Sequence, residues 1–130
     1  MTKKERKALL TFQQGELNAV VMYKRLAELV KSDELKAELQ TLAAEEGKHA
    51  SILKSLSDTV LKPKNTMKNP VVLGYRFLGR KAMFKIIAKF EKASYGMYKK
   101  YFDVFPETVA IAEDEVRHGE TLLKLVKTKL

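Results

Sequence analysis

The chain contains two histidines, and both stand in the same setting. Each follows a glutamate by three residues, Glu46 with His49 in EEGKHASIL and Glu115 with His118 in DEVRHGE. Three residues is close to one helical turn, so on a helix each pair shares a face and both side chains can reach the same ion. With 12 glutamates in 130 residues, two such pairs arise by accident roughly once in a hundred such chains. The chemistry they suggest is metal ligation by oxygen and imidazole nitrogen. There is no cysteine, which excludes disulfides, a thiolate nucleophile, and cysteine-ligated zinc or iron–sulfur centres.

Hydrophobic periodicity supplies four helices to carry these residues. Leu9, Phe12, Glu16, Ala19, Tyr23, Leu26 and Val30 recur at three- and four-residue steps and predict a first helix over about residues 3–31. Ser32, with Asp33 and Glu34 behind it, is a helix start, and Leu35, Leu39, Leu42, Glu46, His49, Leu53 and Leu56 form the second stripe. SDTVLKPKNTMKNP, residues 57–70, carries Pro63, Asn65, Asn69 and Pro70 and reads as a loop between two halves. VVLGYRFLG, residues 71–79, reads as a short apolar helix ended by Gly79. A third long helix over about 80–102 places Phe84, Ile87, Glu91, Ser94, Tyr98 and Phe102 on its stripe. Pro106 then opens the fourth, with Ile111, Glu115, His118, Leu122 and Leu125.

The halves repeat one chemical pattern. Glu16 and Glu91 are the acidic residues on the first and third stripes, each followed seven residues later by a tyrosine, Tyr23 and Tyr98; Glu-x-x-His follows in the next helix. In an antiparallel hairpin, residues equidistant from the turn lie side by side. Glu16 and Glu46 are centred on residue 31, and Glu91 and His118 on the turn before Pro106, so each set lies about 20 Å from its turn at 1.5 Å per residue. The expected fold is therefore an all-α four-helix bundle, one domain over residues 1–130, made of two antiparallel hairpins joined by a long crossover. Unpaired carboxylates in such a core would each cost several kcal/mol of desolvation. Two divalent cations remove the conflict, and single glutamates on two helices with Glu-x-x-His on the other two is the ligand set of dinuclear carboxylate bundles. An oxygen-rich set with one imidazole per ion suits iron or manganese, with zinc as a possible substitute.

The net charge of +9 raises nucleic acid or an anionic membrane surface as partners. Lysines are spread over every segment without an arginine cluster or a nucleic-acid motif, so a solvated basic surface is the preferred reading and no nucleic-acid partner is expected. The tyrosines and lysines of SYGMYKKYF read as core aromatics on a helix rather than a stacking platform. No apolar stretch approaches the roughly 20 residues of a membrane span, and no export signal is evident, so a cytoplasmic location is expected.

QQGELNAVVMYKRLAE, AAEEGKHASIL, FEKASYGMYKKY and AEDEVRHGETLL resemble the four ligand-bearing helices of rubrerythrin-like members of the ferritin-like superfamily. The resemblance covers nearly the whole chain. It implies a di-iron centre with Glu16, Glu46, His49, Glu91, Glu115 and His118 as ligands and Tyr23 and Tyr98 as groups that orient them. Two departures stand out. The seventh ligand typical of that family, three residues after the third-helix glutamate, is here Ser94, and the cysteine-ligated rubredoxin domain is absent, so electrons must come from another protein. LGRKAMFKIIAKFEKASYGMY also looks like the ferritin-like domain that precedes vacuolar-iron-transporter-type membrane domains.

The expected function is a di-iron oxidoreductase that reduces hydrogen peroxide or dioxygen, fed by an external electron-donor protein. The alternatives are a ferroxidase serving iron storage or transport, and a non-catalytic metal-binding or metal-sensing bundle. Glu45, Glu113 and Glu120 point away from the ligand face and are expected at the surface; Met22 and Met97 are expected to be packing residues. VVLGYRFLG is expected to pack on its own bundle or on a partner, in a homodimer that the long hinge allows to form by exchanging hairpins.

Overall fold

The structure is a computed structural model that describes residues 1–64 and 68–128. Among these residues it is all-α: α1 (Lys3–Leu29), α2 (Asp33–Ser57), α3 (Lys68–Lys99) and α4 (Thr108–Lys127). The chain forms two compact units, Met1–Leu73 and Gly74–Leu130.

In the first unit α1 opens on a capping box, in which the Thr2 hydroxyl accepts from the Glu5 amide and the Glu5 carboxylate accepts from the Thr2 amide. It ends at Leu29, two residues before the expected stop. Ser32 caps α2 by accepting from the Leu35 amide at 3.3 Å, with Asp33 and Glu34 in the first turn where the helix dipole favours them. Asp58, in the left-handed region at φ 50°, ends α2.

The two helices form an antiparallel hairpin. Leu9, Tyr23, Leu26, Leu39 and Leu53 are fully enclosed, and the start of α1 meets the end of α2, where Arg6 donates to the Ser57 carbonyl at 3.2 Å. Leu56, placed on the second stripe from the sequence, is half-buried.

The chain after α2 turns back along α1. Gln13 donates to the Thr59 carbonyl (2.8 Å), Gln14 to the Lys62 carbonyl (2.9 Å), and the Lys64 amide donates to Asn18 Oδ1 (2.8 Å). The link thus retraces α1 from Arg6 to Asn18, about 18 Å at the helical rise, the direction a crossover must take. Gln13 is the pivot: it is buried, and it also accepts from the Ser57 hydroxyl at 2.5 Å. Replacing Gln13 by Leu is expected to cost about 1–3 kcal/mol, since the Thr59 carbonyl and Ser57 hydroxyl lose a buried partner. Chemical denaturation of wild type and variant measures this. Asn65, which belongs to the predicted loop, lies outside the described residues.

α3, which begins before the second unit and runs into it, is two helical segments broken at Gly79, whose φ of 84° and ψ of 172° are helical for no residue and favourable only for glycine. The break falls where the sequence places the end of the short apolar helix. Gly74 in the first segment backs onto Met83 in the second, so closely that a β-carbon there would stand 2.5 Å from the methionine sulfur.

The second segment pairs antiparallel with α4: Arg80 donates to the Leu125 carbonyl (2.8 Å) and the Thr128 carbonyl (3.1 Å), clamping the start of one helix to the end of the other. Phe84, Ile87, Ala88 and Tyr98 on α3 and Ile111, Ala112 and Leu122 on α4 are buried. The helix stops at Lys99, where tight turns through Tyr101 and Phe105 lead to Pro106 and α4.

Three expectations for this unit are corrected. Met97 is not packed but about half exposed, because it lies more than 100° around the helix from the arc of Glu91 and Phe84. Ser94 and Phe102 are half-buried rather than core. Within VVLGYRFLG only Val71 is buried, while Leu73, Phe77 and Leu78 are exposed. A segment that short has one narrow inner face, and the other residues project outward.

Candidate metal centre

Each hairpin builds one cluster. In the first, Glu16 comes from the middle of α1 and Glu46 and His49 from the middle of α2, all at 4 % exposure or less. His49 Nδ1 lies 3.2 Å from Glu46 Oε1 and 3.4 Å from Glu16 Oε2. In the second, Glu91 comes from α3 and Glu115 and His118 from α4, all buried, with His118 fully enclosed. His118 Nδ1 lies 3.7 Å from Glu91 Oε2. Within each cluster the three side chains offer ligand atoms within 4.8 Å of one another, close enough for one ion.

The same nitrogen faces the carboxylates in both clusters. In each, Nδ1 faces a glutamate of the neighbouring helix, Glu16 for His49 and Glu91 for His118. Burial gives the sites their electrostatic character. Two carboxylates and one imidazole in an apolar setting resist charge unless a cation or proton accompanies them. The donor chemistry fits iron or manganese.

Tyr23 and Tyr98 are both buried, at 0 % and 4 % exposure. Glu113 and Glu120 are exposed and Glu45 is half-buried, and Met22 is packed. Ser94 turns its hydroxyl back to the Phe90 carbonyl at 3.1 Å, the usual satisfaction of a serine within a helix.

One residue beside a cluster escaped the reading of the sequence. Gly119 follows His118 and sits so close to α3 that an added β-carbon would stand 3.0 Å from the Ala88 carbonyl and 2.8 Å from Lys92 Cγ. Glycine here lets the helices approach closely at the level of Glu91 and His118. A glycine in a helix interior, costly by about 0.5–1 kcal/mol, was the available signal. Gly47, beside Glu46, has only Val20 Cγ2 near, at 4.0 Å. Gly47→Ala is therefore expected to stabilise by about 0.5–1 kcal/mol, whereas Gly119→Val should destabilise by about 1–3 kcal/mol and weaken metal binding. Thermal melts with and without metal read both effects.

Fold and clusters together define an all-α protein in which each of two helix hairpins carries a buried carboxylate–histidine cluster able to bind metal. A family model described as Rubrerythrin matches residues 9–126, and the chain belongs to the rubrerythrin family. No curated protein and no solved structure matches it.

Proposed function

We propose that the protein is a di-iron oxidoreductase that reduces hydrogen peroxide or dioxygen. In this reading Glu16, Glu46, His49, Glu91, Glu115 and His118 would hold two iron ions. The observation that carries it is the matched pair of buried clusters, each with two carboxylates and an imidazole whose Nδ1 faces the glutamate of the neighbouring helix. Membership of the rubrerythrin family supports it.

Charge supports a pair of ions over a single one. Four carboxylates balance two divalent cations while the imidazoles stay neutral, so the core holds no uncompensated charge. Each hairpin would offer three protein donors, two carboxylates and one imidazole, with Glu46 and Glu115 each supplied by a Glu-x-x-His pair.

Two iron ions bound there would supply electrons to an oxidant and accept them from a donor. The residues of the chain do the rest. Glu16, Glu91, His49 and His118 would serve as ligands beside Glu46 and Glu115, and Tyr23 and Tyr98 would orient the carboxylates. Burial of all six residues keeps water out and strengthens every charge interaction inside. Reduction of one peroxide to two waters consumes two electrons and two protons; an external donor protein provides the electrons.

The test is the reaction of ferrous-loaded protein, under anaerobic conditions, with peroxide and dioxygen as rival oxidants. Faster oxidation by peroxide, with turnover sustained by added reductant, is the expected result. Oxidation by dioxygen alone, releasing ferric iron, would identify a ferroxidase. No reaction with either would leave a metal-binding protein without catalysis.

A further inference from the structure

The second unit presents a face that the metal chemistry does not use. Around the second segment of α3, at 100° per residue, Ile86, Phe90, Ala93 and Met97 fall within one arc of about 60°, and all four are exposed. Phe90 is 71 % exposed, a large amount for an aromatic side chain. Beside that arc, over a further stretch of about 80°, stand Lys81, Lys85, Lys89, Lys92 and Lys99, all exposed. The segment before Gly79 adds Phe77, 83 % exposed, and Leu78, 57 %. Its Gly74 rests on Met83, which lies one turn before Ile86.

Anions are missing from this face. Between Gly74 and Phe102 the sole acidic residue is Glu91, which is buried in its cluster. The exposed charges of α2 look different: Asp33, Glu34 and Glu38 stand among Lys48 and Lys54. Apolar side chains beside a continuous band of lysines, with no acid among them, is the composition of helices that lie in the surface of an anionic bilayer.

We infer that this face of α3 docks the protein peripherally on an anionic lipid surface. Phe77, Leu78, Phe90 and Met97 enter the headgroup and upper acyl region while the lysines pair with lipid phosphates. A second copy of the chain is the poorer occupant, since a self-complementary contact would set lysine band near lysine band with no acid to offset it. No helix among the described residues is long and apolar enough to cross a membrane, so contact is confined to the surface.

The full chain is tested by co-sedimentation with phosphatidylcholine vesicles, with and without phosphatidylglycerol. Strong binding is expected only with phosphatidylglycerol, falling as salt is raised. Phe77→Ser with Phe90→Ser, and separately Lys85→Glu with Lys89→Glu, should each weaken it by about tenfold or more. Lys31→Glu with Lys54→Glu makes the same charge change on the first unit and should leave most binding intact. Melting temperatures report whether each variant is folded, and the lysine pair keeps the test decisive if the phenylalanine pair is not. Absence of binding to phosphatidylglycerol vesicles, or an equal loss in the Lys31/Lys54 variant, overturns the proposal. So does light scattering that shows a wild-type dimer dissociated by the phenylalanine substitutions.

Discussion

Metal-free protein titrated anaerobically with ferrous iron is expected to bind about two equivalents per chain and to melt at markedly higher temperature when loaded. A ligand that binds only the native state stabilises by RT ln(1 + [L]/Kd), about 4 kcal/mol when the free metal is a thousandfold above Kd. For a chain of this size that corresponds to a rise of roughly 10–20 °C. The effect should be large because six buried ionisable side chains are a liability without cations. Saturation below two equivalents sinks the dinuclear reading. The titration of Glu115→Ala separates two further possibilities. If each hairpin held its ion independently, this variant would keep one equivalent at full affinity; a shared centre loses tight binding of both.

Glu46→Ala and Glu115→Ala should abolish reaction with oxidant, by more than about a hundredfold, while Glu45→Ala and Glu113→Ala react as wild type. The contrast rests on position around the helix. Glu46 and Glu115 are buried at 1 % and 3 % exposure, whereas Glu113 is exposed and Glu45 half-buried. The four variants are compared at equal metal loading by stopped-flow absorbance after addition of peroxide. Equal losses in all four would mean that the reaction depends on general acidity of the helices rather than on the inward carboxylates. Retained activity in Glu46→Ala would remove the ligand role proposed for it.

The helices and the inward position of the six metal-binding candidates are local properties, and they were legible in the sequence. A 3.6-residue period fixes which side chains share a face with leucines, so Glu16, Glu46, His49, Glu91, Glu115 and His118 could be placed on buried stripes before any contact was known. Caps and breakers acted the same way: Ser32 starts α2 and Gly79 interrupts α3 through their own backbone preferences. What periodicity cannot give is which parts of a helix surface receive a neighbour. Met97 and Phe90 are as apolar as Ile87, yet they are exposed and Ile87 is buried, because they lie around the helix from Ala88 and Glu91, which meet α4. VVLGYRFLG looked like a segment that must be covered, and one valine of it is.

The tertiary structure alone decided three further points. The link after α2 retraces α1 because Gln13, Gln14 and Asn18 offer side-chain partners to its backbone, a pairing across more than forty residues that no local pattern encodes. Gly119 acquires its role only from the carbonyl of Ala88 packed against it. Each imidazole turns Nδ1 to a glutamate of the neighbouring helix, Glu16 for His49 and Glu91 for His118. Local sequence sets the direction in which each side chain leaves its helix; the packing of one helix against another sets what it meets.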